Sequence, residues 1–463
     1  MKIIFKLLVL IVPFHMMTCS PNPNIVIYPA IPNLIESDLY RIEVNGHSIW
    51  TEKFQTNFDL QELPEWFTGS SYVNQQQEVH MANLSCEGDL RVRIELNEPI
   101  TRASVRPFSR GIKPDIQGQI LEFSLSGPDK LYININDLSP LLFFANPLES
   151  DVPDPENPNV HFFEPGVHRP GMMHLTDSAT VYIAGGAIVY GGIRTDGASH
   201  IRILGRGILD GNFEFRRMVV PENSRNVKFD GIIIRNGVSW TNTIVNCSDV
   251  RYEDVKVISF GPGGDGINPL GSQNVTINNC FFRCTDDCIA IKSPDPSHVV
   301  KNIRVTNNTM IGFAYSDGVT IGFETNGRTV SDVLVKNCDI LQARGGSRVD
   351  GHSAFSIICD GPATISDVRY EDIRVEEDIL KLFELHITDG TKYGINPPGH
   401  IKDIHLKNIR WASERPIILR GFDDEHLVQN VTFEDCWVND LPLKDKRDEL
   451  LQMGDFVQDV TIK

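Results

Sequence analysis

Positive charge is in short supply in this chain: 43 Lys and Arg stand against 61 Asp and Glu, a net charge of −18. No basic stripe is available to displace counterions from phosphates, which excludes a nucleic-acid partner. The same imbalance disfavours a broad grip on a polyanionic polymer, while leaving room for a local basic pocket that reads one acid group. Long hydrophobic runs are also lacking. Leu7 to Met17 is the longest apolar stretch, and it is too short to span a bilayer comfortably. A zinc signature is missing, because Cys284 and Cys288 have no His pair beside them. Helix-length amphipathic stretches are few, which points away from helical architectures.

What the chain does have is repetition. An alternating strand pattern ending in Asn, Asp or Gly recurs as Val227–Gly231, Val250–Asp254, Val275–Asn279 and Ile303–Asn307. It returns as Val333–Asn337, Val368–Asp372, Ile404–Asn408 and Val431–Asp435. The closing residues are separated by 23, 25, 28, 30, 35, 36 and 27 positions. Period-2 alternation marks short strands with one buried face, and Asn or Asp at each end suits a bend through the left-handed region. Such repeats predict a parallel β-helix, in which each coil covers the apolar face of the next. The longer intervals after Asn279 imply loops extruded from the coils, the natural walls of a cleft.

Residues 25–148 carry strand-like runs, such as Leu39–Val44, Leu90–Glu95 and Leu131–Ile135, without that repeat. They predict a small antiparallel β-sandwich. A Pro- and acid-rich connector, Leu148 to Pro158, leads to a β-helix catalytic domain over 160–463. Residues 1–19 have the basic start (Lys2, Lys6), apolar centre and Thr18-Cys19-Ser20 ending of a lipoprotein-type signal peptide. That assigns Cys19 as the lipidated residue of a secreted protein anchored in a bacterial cell envelope, in the periplasm or outer membrane. Met16 and Met17 depart from the usual pattern and leave plain secretion as the alternative. Of the other eight cysteines, Cys247, Cys280, Cys338 and Cys436 follow Asn or Asp at strand ends and suit small buried residues; Cys284 and Cys288 leave a bridge open.

The chemistry centres on three aspartates. Asp265 sits in Gly264-Asp265-Gly266-Ile267, and Asp286 and Asp287 follow 21 and 22 residues later in Cys284-Thr-Asp-Asp-Cys-Ile-Ala-Ile291. In a solenoid these residues stack on neighbouring coils about 4.8 Å apart. Singly, each reads as a turn residue capping local amides. Together, beside Gly and Ala positions that leave room for a ligand, they form a carboxylate cluster suited to acid/base cleavage of a glycosidic bond. Strict alternation places Asp287 on the same face as Ile289 and Ile291, so the pair must lie at a bend where alternation breaks.

These motifs resemble those of the polygalacturonase family of glycoside hydrolases, right-handed parallel β-helices with Asn-Thr-Asp-Gly-Ile and Gly-Asp-Asp-Cys-Ile-Ala-Ile one coil apart. Phe163–Gly171 and the N-terminal β domain look like the related dextranase and isopullulanase family. The resemblance implies an all-β chain, a right-handed parallel β-helix preceded by a small β-sandwich, that hydrolyses α-linked polysaccharides or oligosaccharides by an inverting mechanism. It further implies Asp286 as the acid, with Asp265 and Asp287 activating water. It calls for no cofactor and no metal, and for membrane contact only through the lipid anchor.

The chain departs from the family in two places. A Gly-His-Gly motif corresponds here to Ser316-Asp317-Gly318, making Asp317 a candidate substrate-binding residue or a turn cap. An Arg-x-Lys pair that holds the uronate carboxylate corresponds to Ser356-Ile357-Ile358, which predicts weak or no turnover of polygalacturonate. Lys292 and Tyr393 are further substrate-binding candidates. Lys292, Lys392 and Arg344 are the cations available to replace the clamp. Glu324 is a weaker site candidate, and His386, His168, Arg169 and Trp240 read mainly as structural. A β-helix polysaccharide lyase and a non-catalytic glycan-binding surface protein are the rival readings; three carboxylates are few for the Ca²⁺ a lyase often needs.

Overall fold

The computed structural model describes residues 24–55, 78–261, 263–313, 316–344, 353–377, 380–389 and 391–463. Cys19 and the proposed signal peptide lie outside these residues, as does the side chain of Arg344. No helix among the described residues is long and apolar enough to cross a membrane.

From Val160 onward the chain forms one 30-stranded sheet wound on itself as a right-handed parallel β-helix. Its register follows the sequence repeat: Ile201, Val227, Val250, Val275, Ile303, Val333, Val368, Ile404, Val431 and Val460 pair in succession. The first nine of these are buried. Two positions further along each strand, Phe229 and Tyr252 stack at 4.2 Å with an interplanar angle of 8°. The strand-ending residues Asp254, Asn279, Asn307, Asn337, Asp372, Asn408 and Asp435 all adopt φ between 51 and 59°. Asn and Asp enter the left-handed region more readily than other non-glycine residues, which is why the pattern ends on them.

The described residues between 25 and 147 form a seven-stranded and a five-stranded sheet. An apolar core including Val44, Val92, Leu121, Leu131 and Phe143 fills the space between them. Pairing is antiparallel except between His80–Cys86 and Leu141–Pro147, which run parallel. The outer face of the larger sheet packs along the flank of the β-helix. Val79, Met81, Leu142 and Phe144 meet Ile188, Ile233, Ile258, Phe281 and Leu341 there.

Charged groups lock this seam. Arg235 pairs with Glu52 at 2.8 Å and Asp210 at 2.6 Å. Lys130 and Lys256 share Asp254, at 2.6 and 3.1 Å. Burial pushes the Lys256 ammonium down to about 7, against the pull of Asp254. Arg106 reaches across to Glu376 at 2.8 Å and Glu377 at 2.6 Å.

Candidate active site

One lateral face of the β-helix is built from the strands Asn242–Val245, Ile267–Leu270, Ile289–Ile291, Val319–Ile321 and Phe355–Cys359. Ile267 pairs with Ile289, Ile289 with Val319, and Val319 with Phe355. Asp265, Asp287, Asp317 and Ser353 each precede one of these residues by two positions and therefore stand in one column. Rungs are about 4.8 Å apart, so the column brings the carboxyls together along the surface. Asp286 and Asp287 lie between the strands Phe281–Cys284 and Ile289–Ile291, in a bend. Alternation is broken there, and both residues stay only partly buried while Cys288 and Ile289 enter the core.

The cluster is held by directed hydrogen bonds. Asn268 Nδ2 donates to Asp265 Oδ2 at 2.6 Å, fixing the most deeply buried of the three catalytic candidates. The backbone N–H of Asp287 donates to Asp286 Oδ1 at 3.1 Å, and that of Asp317 to Asp287 Oδ1 at 3.0 Å. Asp317 is fully buried, and its own carboxylate is turned inward. It accepts from the Ser353 N–H at 2.9 Å and from the Ser356 hydroxyl. It thus supports Asp287 from behind.

Burial and then the neighbouring charge of Asp286 hold the Asp265 carboxyl well above the ordinary carboxylate range. Asp287 is raised by burial, then by Asp286, Asp317 and Asp265. Carboxyls this close titrate as a unit, and the unit retains a proton above the range of a lone carboxylate.

Lys292 is the counterweight. It pairs with Glu324 at 2.7 Å and lies 5.0 Å from the ring centre of Trp240. Burial opposes its charge, but Glu324, Asp265 and Asp287 outweigh that and raise its pKa above the usual lysine value. Glu324, read from sequence as a minor candidate, is therefore part of the site's electrostatics.

Tyr393 stands apart from the column. It is partly exposed, near Phe323 at 6.1 Å, with Lys392 4.8 Å from its ring centre. Asn326 anchors its loop by donating to the Tyr393 carbonyl at 2.9 Å. His386 lies 3.6 Å from Glu384, a buried carboxylate bonded to Lys381. His168 bonds the Glu164 carbonyl at 2.7 Å and Arg169 stacks on Tyr190, both away from the column. Cys284 and Cys288 are buried free thiols, so the bridge left open by their spacing is not formed. Both serve as small core residues beneath the acid pair.

Residues 177–440, more than half of the chain, match the model of glycosyl hydrolases family 28. The chain belongs to that family. It is 26% identical over 185 residues to the probable exopolygalacturonase B of Aspergillus flavus, covering 37% of this chain and 40% of that protein. It is 23% identical over 253 residues to exopolygalacturonase B of Aspergillus niger, covering 47% of this chain and 54% of that protein. The matches thus span about half the length of these relatives or less. Among solved structures, Dex49A from Penicillium minioluteum superposes with a TM-score of 0.68 at 14% identity. That likeness covers 95% of this chain and 96% of the other, so the fold shared includes the N-terminal sheets.

Three residues near the site escaped the sequence reading: Arg194, Arg216 and Arg217. No motif contains them. A signal was nevertheless available, since Arg217 precedes Trp240 by 23 residues and Trp240 precedes Asp265 by 25, each one coil.

Proposed function

We propose that this family 28 glycoside hydrolase cleaves an α-glycosidic bond with inversion, Asp286 acting as the acid and Asp265 with Asp287 as the base pair. The observation that carries the reading is the column of Asp265, Asp287 and Asp317, with Asp286 beside it at the bend. Asp286 protonates the leaving oxygen. Water held by Asp265 and Asp287 attacks the anomeric carbon from the opposite face, which requires acid and base roughly 6.5–9.5 Å apart. The Lys292 ammonium favours ionised Asp265 and Asp287, the form a base needs, against the burial and the neighbouring Asp286 charge that raise both. No cofactor enters this chemistry.

The relatives' names point to polygalacturonate, but the residues at the clamp position point elsewhere. Ser356 is tied to Asp317, Ile358 is buried, and Lys381 close by is bonded to Glu384. Among the described residues, none of these offers a free cation to a uronate on that side. A charge-assisted contact contributes about 1.5–3 kcal/mol, so losing two lowers transition-state binding by orders of magnitude. We therefore propose poor turnover of homopolygalacturonate, and a secreted, Cys19-anchored enzyme acting on another α-linked glycan.

The test is a polysaccharide panel read by reducing ends, with the product anomer followed by NMR and Asp286→Asn run in parallel. General acid catalysis is worth about 10²–10⁴-fold, and Asp286→Asn should lose that much. Undiminished turnover in Asp286→Asn would sink the mechanism, and robust polygalacturonate hydrolysis would sink the specificity. An unsaturated product absorbing in the ultraviolet would instead establish a lyase.

A further inference from the structure

In a chain with a net charge of −18, three arginines gather on the N-terminal side of the aspartates. Arg217 lies 4.2 Å from the ring centre of Trp240, which precedes Asp265 by one coil on the same face. Arg194 donates to the Arg216 carbonyl at 3.0 Å, and its own strand pairs with the one that follows Arg217. None of the three forms a salt bridge among the described residues, although acids outnumber bases throughout the molecule. The Arg217 Nε is buried without a hydrogen-bond partner. Burial and the neighbouring guanidinium of Arg216 hold the Arg217 pKa below its ordinary value against the weaker pull of Glu324 and Asp265, and burial with the charge of Arg217 does the same for Arg194 against Glu222. Three like charges kept together at this expense, with donors left over, describe a site awaiting an anion.

We propose that Arg217, assisted by Arg194 and Arg216, binds an acidic group on the sugar lying on the Trp240 side of the scissile bond. Two rungs separate Arg217 from Asp265, roughly 10 Å, within reach of a sugar beside the bond being cut. The planar guanidinium fork suits a carboxylate or a sulfate ester, both of which present paired oxygens. The cationic recognition lost at Ser356 and Ile358 has thus moved to the other end of the column. The preferred substrate is asymmetric, acidic on the Trp240 side and uncharged on the Asp317 side. This inference rests on the aspartates being the cleavage site.

Binding to the Asp286→Asn chain tests it, with digalacturonate, its carboxyl-reduced counterpart and the 6-sulfated form of that counterpart as probes. The expected result is that at least one acidic disaccharide binds about tenfold or more tightly than the neutral one. Adding Arg217→Gln should erase the preference without changing neutral-sugar affinity, and Arg217→Lys should restore part of it. Arg251→Gln, a control at an exposed arginine paired with Glu253, should leave the preference intact. Whichever acidic probe binds more tightly identifies carboxylate or sulfate as the group recognised. If Arg217→Gln fails to fold, Arg194→Gln takes its place and should weaken the preference. Equal affinity for acidic and neutral sugars, a preference that survives Arg217→Gln, or no binding of any probe overturns the proposal. Arg217-dependent binding in a chain that hydrolyses no glycan would sink the proposed catalysis alone. Hydrolysis indifferent to Arg217 would sink this inference alone.

Discussion

The backbone N–H of Asp317 donates to Oδ1 of Asp287 at 3.0 Å, one rung along the same column. The negative charge of Asp317 thus sits behind Asp287, where the family pattern has a histidine, and is one of the causes of the raised Asp287 pKa.

Asp317→Asn should keep the contacts to Ser353 and Ser356 while removing that charge. The Asp287 carboxyl would then ionise at lower pH. Since the base must be ionised, the acid limb of the kcat/KM profile should move to lower pH, with a rate loss near neutrality of less than about tenfold. A limb that stays in place would show that Asp317 does not tune Asp287.

Lys292→Gln should have the opposite effect. The amide can still donate to Glu324, but the positive charge that eases ionisation of Asp265 and Asp287 is gone. The acid limb should move to higher pH, and the pair of variants should bracket the parent enzyme in one set of pH–rate curves.

Asp265→Asn should separate stability from activity. The folded-state pKa of Asp265 is raised above its ordinary 3.8 by burial and then by Asp286. Between that ordinary value and the raised one, the folded chain holds a proton the unfolded chain has released, so stability falls as pH rises through the window. The amide removes this loss and keeps the Asn268 contact available. Asp265→Asn should be inactive and melt a few degrees above the parent at pH 7, the gap narrowing as pH falls toward the ordinary carboxyl value. Equal melting temperatures at both ends of that range would contradict the electrostatic account.

Mass spectrometry of the protein expressed with its full N-terminus in a bacterial host should find a diacylated or triacylated Cys19 as the first residue. An unmodified mature terminus at another position would remove the lipid anchor and leave simple secretion.

Most of the β-helix was legible because one physical demand repeats: an apolar residue inward, two positions later another, then a residue that tolerates positive φ. Val275, Ile277 and Asn279 meet it as plainly as Ile404, Leu406 and Asn408. The acid pair was legible because two adjacent aspartates at the start of a buried Ile-Ala-Ile strand have no packing purpose. Arg217 was not, because its place comes from Trp240 one coil away and from its forming no salt bridge among the described residues. Sequence order conveys neither. The parallel pairing of His80–Cys86 with Leu141–Pro147 was equally hidden, since alternation inside a strand does not reveal the direction of its neighbour.

The seam between the N-terminal sheets and the β-helix has a mechanical consequence. A bare solenoid touches only its nearest neighbours, so it can fray from either end, one coil at a time. Here Glu52, Arg106 and Lys130 grip coils from Arg235 to Glu377, and Val79 and Phe144 press on the same flank. The sandwich acts as a splint laid across the windings that carry the aspartates. No winding under it can peel away without breaking contacts made to a rigid body shared by the others, so the rungs that align Asp265, Asp287 and Asp317 must hold or fail together.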